Sequence, residues 1–122
     1  MEIAEIAQWI ASAALGIPFL WLGYEAASAP GGRVAMAAKL GIPRPEWAVR
    51  LNGAVMVAGG VVLVAHVYPT VAALALVASM IPTTLAGHAF WQEDDPQARK
   101  AGRIQFLKNL GLVGGLLAVA FS

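Results

Sequence analysis

Apolar residues dominate four stretches of the chain, residues 3–28, 47–67, 70–90 and 101–121, and most charged residues lie outside them. A hydrocarbon core of about 30 Å takes about 20 residues of helix, and each stretch is long enough. Backbone polar groups in lipid must be satisfied within the chain itself, so runs of this length are helices and not open strands. The pattern predicts one all-α domain over residues 1–122, an integral membrane four-helix bundle.

The connections carry their own signals. After the first stretch, "YEAASAPGG" breaks the helix, and "GRVAMAAKLG" then mixes Arg33 and Lys39 with Val34 and Leu40. Residues 32–41 are expected to form a short interfacial helix, with an irregular basic loop as the alternative. In "PRPEWAVRLNG", Glu46 precedes Arg50 by four residues, the favourable order for a helical ion pair. The short "HVYPT" link makes the second and third spans antiparallel neighbours. Pro82 in "SMIPTTLAGHAFW" removes a backbone donor and should bend the third span, and Thr83 or Thr84 can bond the freed carbonyl. In "QEDDPQARKAGR", Asp95 is the expected N-cap and Pro96 the first helical residue, so the last helix starts in water.

Composition fits this reading, with 59% hydrophobic and only 12% charged residues. No cysteine occurs, which excludes disulfide exchange, thiolate metal sites and haem attachment through Cys. All eight basic residues, Arg33, Lys39, Arg44, Arg50, Arg99, Lys100, Arg103 and Lys108, fall in or beside the first and third connections. By the positive-inside rule those connections are cytoplasmic and both termini face out. The N-terminal "MEIAEIAQWIAS" lacks a basic leader region and is expected to be a retained first span. Trp47 and Trp91 fall at the inner boundary and Tyr68 at the outer one, as an aromatic belt. The basic segments are read as inner-leaflet anchors, and no pattern for nucleic acid is present.

Polar residues inside the apolar stretches are the candidate site. Gln105, Lys108, Asn109 and Leu112 share one helical face. If the last span ends near Phe121, Lys108 lies about 9 Å inside the inner boundary at 1.5 Å per residue. Its stem could snorkel part of that distance, but three polar groups on one face point more plausibly inward. Glu25 is then the expected ion-pair partner of Lys108, beside the Glu46–Arg50 pair. Arg50, Asn52, Thr84 and His88 lie at similar depth. One reading is a polar cluster that fixes helix register. The other is a site open to the cytoplasmic leaflet, where His88, Gln105, Lys108, Asn109 and Asn52 meet the head of a quinone or another amphipathic ligand against Trp91. His66 and His88 fall at opposite ends of neighbouring spans, so haem is not expected, and no cluster has metal-ligand spacing. Gly111 and Gly115 form a GxxxG pair suited to packing within the bundle or to a homo-oligomer contact.

The stretches "LGIPRPEWAVRLNGAVMVAGGVVLV" and "GHAFWQEDDPQARKAGRIQFLKNLGLVGG" resemble the DoxX family of small bacterial membrane proteins. The Gly-Ile-Pro-x-Pro opening, the Gly59-Gly60 pair and the Lys-Asn run before a second Gly-Gly carry the resemblance. It implies a four-helix bundle in the bacterial cytoplasmic (inner) membrane, a link to quinone-dependent thiosulfate oxidation and to membrane-associated redox and detoxification complexes. Met56 and Glu25 stand where many relatives have an acidic residue and a lysine. The expected role is a non-catalytic membrane subunit or ligand-binding module beside a partner, a membrane-associated redox protein being the candidate. A quinone-linked oxidoreductase small subunit is the alternative. A small-molecule transporter is disfavoured, because four spans without evident repeats leave little room for alternating access.

Overall fold

The computed structural model describes residues 2–29, 31–87, 91 and 93–121, with backbone alone at 82, 83 and 85–87. Among these residues there are five α-helices and no strand: α1 (Ile3–Ser28), α2 (Gly32–Lys39), α3 (Pro45–Val64), α4 (Pro69–Gly87) and α5 (Pro96–Ala120). Helices α1, α3 and α5 are long and apolar enough to cross a membrane, and the described apolar part of α4 runs Pro69–Ile81. Large apolar side chains point outward along them, including Ile10 at 64% exposure, Leu51 at 68%, Val71 at 68% and Leu110 at 60%. An apolar surface on that scale is stable only against lipid. The protein is a membrane protein.

Three helices open on proline, at Pro45, Pro69 and Pro96. The first helical position needs no amide donor and suits the fixed φ of proline. This is why these helices begin before the apolar stretches do; α3 ends at Val64 and not at residue 67. Asp95 caps α5 as expected, its carboxylate accepting from the Ala98 amide at 3.2 Å. The expected interfacial segment is the separate helix α2, so the long helices are joined by a fifth, short one. Residues 88–90, at the expected end of the third span, and the side chains of residues 82 and 83 lie outside the described residues.

Between α3 and α4 the chain reverses through a turn in which His66 (φ 56°) and Tyr68 (φ 47°) are both left-handed. Tyr68 precedes Pro69, and a residue before proline is kept out of the right-handed helical region. The turn sets α3 and α4 antiparallel. Helices α1 and α3 are also antiparallel and lie unusually close. A Cβ on Gly23 would stand 2.8 Å from the Gly53 carbonyl oxygen, and one on Gly16 would stand 3.0 Å from that of Gly60. Seven residues separate the glycines on each helix, so one side of each is bare at two successive levels.

Polar bonds close the ends of this pair. At one end Arg50 Nη1 donates to the Ala27 carbonyl at 2.7 Å. At the other, Ser12 Oγ and His66 Nδ1 are hydrogen-bonded at 2.9 Å, and the Trp9 ring lies 4.8 Å from the His66 ring. Helix α5 runs antiparallel to α4. Thr70 Oγ1 donates to the Ala120 carbonyl at 2.6 Å, and Asn109 Nδ2 donates to Thr84 Oγ1 at 3.0 Å. Phe19, Met56, Leu63, Leu76, Met80 and Leu116 form the core where α1, α3, α4 and α5 converge. This topology gathers the C-terminus of α1, α2, and the N-termini of α3 and α5 at one end of the molecule, so the basic residues collect there.

The GxxxG pair on α5 is not where helix backbones meet. A Cβ on Gly111 would find nothing within 4 Å, and one on Gly115 would make ordinary contact with Leu15 at 3.4 Å. The closest approaches belong to α1 and α3.

Candidate functional site

Toward the basic end the helices part and leave a cavity of about 650 Å³. Local sequence explains the space. Helix α5 is brought to α1 by Gly115 against Leu15, well toward the other end, and nearer the basic end the walls include small residues, Ala26, Ala37 and Ala48. The short α2, held between the turns at Gly31 and Gly41 (φ 52° and 76°), folds back beneath the gap and closes it with Arg33, Met36 and Ala37. Exposed residues of α1, Pro18 and Leu22, and of α5, Gln105, mark the rim.

The walls are mostly apolar, with Phe19 from α1, Met56 from α3, Met80 from α4 and Leu112 from α5. Five polar side chains among the described residues interrupt them: Arg33, Asn52, Ser79, Gln105 and Asn109. Ser79 Oγ donates to the Leu76 carbonyl at 2.7 Å, and Asn52 Nδ2 approaches Met56 Sδ at 3.7 Å. Asn109 is tied to Thr84 and also lines a smaller gap of about 210 Å³ between α4 and α5. Gln105 makes no hydrogen bond within the described residues. Among the described residues Arg33 is the one charged side chain on the walls, and Glu25 touches its Nη2 at 3.5 Å from outside the cavity.

Of the residues expected to form a site, Asn52, Gln105 and Asn109 therefore share one cavity. Trp91 is exposed and packs edge-on against Phe106, 5.6 Å between ring centres, away from the cavity walls. Lys108 is exposed, forms no hydrogen bond or ion pair within the described residues and does not line the cavity. His88 lies outside the described residues. The expected Glu25–Lys108 pair is replaced by another: Glu25 meets Arg33 and accepts from Trp21 Nε1 at 3.1 Å. The physical reason is proximity, because α2 turns back beneath α1 and brings Arg33 to within 3.5 Å of Glu25. The Glu46–Arg50 pair forms as expected, at 3.3 Å.

Sequence reasoning missed Arg33, Met36 and the Ser12–His66 bond. A short basic segment reads as a surface anchor; the alanines between Arg33 and Lys39 were the available sign that α2 packs inward, where Ala37 is buried. Among the described residues no three His, Cys, Asp or Glu side chains gather to hold a metal ion. The arrangement offers an apolar sleeve, amide groups that can donate or accept, and a guanidinium at the basic end. Such a site orients an amphipathic molecule.

The DoxX family model matches residues 6–89, well over half of the chain, so the chain belongs to the DoxX family. The match covers α1 to α4, including Phe19, Arg33, Asn52 and Met80. The α5 wall with Gln105 and Asn109 lies beyond it. No curated protein and no solved structure matches the chain.

Proposed function

We propose that this DoxX family membrane protein binds an amphipathic molecule in the cavity and serves, without catalysis of its own, as a ligand-binding membrane subunit beside a partner protein. The cavity carries the reading: about 650 Å³, apolar through most of its wall, with amide groups and a guanidinium toward the basic end. That is the layout expected of a site that buries a hydrocarbon tail and fixes a polar head. A membrane-associated redox protein is the partner class that the family resemblance implies.

The proposed setting is the bacterial inner membrane. Helices α1, α3, α4 and α5 cross it, α2 lies along the cytoplasmic face, and the basic end faces the cytoplasm. Both termini are then outside. A quinone is a second reading of the same site, and the residues present fit one: Phe19, Met56 and Leu112 could flank its tail, while Gln105 and Asn109 could donate to its carbonyl oxygens. When bound, a quinone would supply two-electron carrier chemistry to a partner.

The test is to purify the protein from native membranes and identify co-purifying small molecules, comparing the native chain with Ala37→Trp, which fills the cavity. One amphiphile retained by the native chain and lost from a folded Ala37→Trp protein is the expected result. Equal retention by both chains would remove the cavity from the argument.

A further inference from the structure

The cavity is not evenly charged. Among the described residues every carboxylate is off its walls, and the one ionised side chain on them is the guanidinium of Arg33. The other polar wall groups are the amides of Asn52, Gln105 and Asn109 and the hydroxyl of Ser79. Arg33 is also incompletely used. Its contact to Glu25 engages one nitrogen at 3.5 Å, at the outer limit of a hydrogen bond, in a pair about half exposed on both sides. A guanidinium carries five donors in a planar fork matched to carboxylate and phosphate. Glu25, meanwhile, has a second anchor in Trp21 Nε1 at 3.1 Å, so it need not follow the arginine.

Resting on the reading of the cavity as an amphiphile site, we infer that its ligand is a single-chain amphiphile with an anionic head, a carboxylate or a phosphate, whose head takes the Arg33 guanidinium from Glu25. The tail lies along Phe19, Met56 and Leu112. Gln105, which has no hydrogen bond among the described residues, donates its amide to the head from the opposite rim. Charge-assisted bonds of this kind are about twice as strong as neutral ones, and a bidentate guanidinium adds orientation. A carboxylate and a phosphate head share this chemistry, and the experiment separates them.

The probes are four amphiphiles with the same twelve-carbon chain: laurate, dodecyl phosphate, dodecanol and dodecyltrimethylammonium. Equilibrium binding is measured on protein in phosphatidylcholine nanodiscs, with binding to empty nanodiscs subtracted. The native chain should hold at least one of the two anions about ten-fold or more tighter than dodecanol, equivalent to about 1.4 kcal/mol, and the cation least. Whichever anion binds tighter names the head. Arg33→Gln should bring that anion to within about two-fold of dodecanol, Arg33→Lys should keep part of the preference, and Glu25→Gln should strengthen anion binding by freeing the guanidinium. Ala37→Trp should abolish binding of all four.

Dodecanol binding as tightly as both anions, with Ala37→Trp still blocking it, would overturn the anionic head while leaving the cavity as a site for a neutral amphiphile. An anion preference that survives in folded Arg33→Gln would overturn the role of Arg33. Binding of none of the four, or binding untouched by Ala37→Trp, would instead overturn the cavity reading on which the inference rests.

Discussion

Gly53 on α3 faces Gly23 on α1 so closely that a Cβ on Gly53 would stand 2.7 Å from the Gly23 carbonyl oxygen and 2.6 Å from the Ala27 amide nitrogen. Both obstacles are backbone, so no side-chain rotation relieves them. One added methyl must push the two helices apart, and overpacking of this kind costs about 1–3 kcal/mol. Gly53→Ala should therefore destabilise the protein by that amount in a detergent-to-SDS unfolding titration. Gly111→Ala, where the added carbon meets nothing within 4 Å, should leave the midpoint nearly unchanged. Equal losses from the two variants would contradict the packing described.

At the opposite end of the same helix pair, the fully buried Ser12 shares a hydrogen bond with the half-buried His66 across 2.9 Å. The left-handed His66 also rests against Trp9, so one residue fixes both the α1–α3 distance and the turn into α4. Polar bonds between membrane helices are worth about 0.6 kcal/mol on average and up to about 1.7. Ser12→Ala should lower stability within that range. In a double-mutant cycle with His66→Ala, the two losses should be less than additive. Strict additivity would deny the bond.

What could be read from the chain divides along physical lines. Local signals were legible: Asp95 as cap, Pro96 as first helical residue, a short basic helix expected over 32–41 and found at 32–39, and Glu46 with Arg50. Each depends on neighbours within about one turn. Which helix faces meet was not legible. In lipid the outside of a bundle is as apolar as the inside, so hydrophobic periodicity does not mark the packed face, and small residues occur in every long helix. Gly111 and Gly115 therefore looked as good an interface as Gly23 and Gly53. The candidate site was legible by half: the depth of Asn52, Gln105 and Asn109 placed them together, whereas Arg33 reached the cavity only because α2 folds back, a long-range event.

Lys108 gives the next prediction. It is exposed, forms no hydrogen bond or ion pair among the described residues, and belongs about 9 Å inside the inner boundary if α5 ends at the outer one. A lysine so placed keeps its charge in water by running its stem along the helix toward the interface. Lys108→Met should change stability by no more than about 0.5 kcal/mol. Its neighbour Asn109 is bonded to Thr84 at 3.0 Å, so Asn109→Leu should cost about 0.6–1.7 kcal/mol in the same unfolding titration. A larger loss from Lys108→Met than from Asn109→Leu would mean that the lysine faces into the bundle after all.

Orientation supplies the last prediction, and the absence of native cysteines makes it direct to measure. Lys39 and Gln97 are exposed at the basic end, close to Arg33, Arg44, Arg99 and Lys100, while Glu2 and Tyr68 are exposed at the other. Basic residues resist translocation and hold their connections in the cytoplasm. Single cysteines at Glu2 and Tyr68 should therefore react with an impermeant thiol reagent in intact cells. Cysteines at Lys39 and Gln97 should react only after the membrane is permeabilised. The reverse pattern would turn the protein over and place the mouth of the cavity in the outer leaflet. Labelling that separates Lys39 from Gln97, or Glu2 from Tyr68, would show that the number of crossings between them is odd and overturn the four-span arrangement itself, because each of those pairs is joined by two crossings in a bundle of α1, α3, α4 and α5.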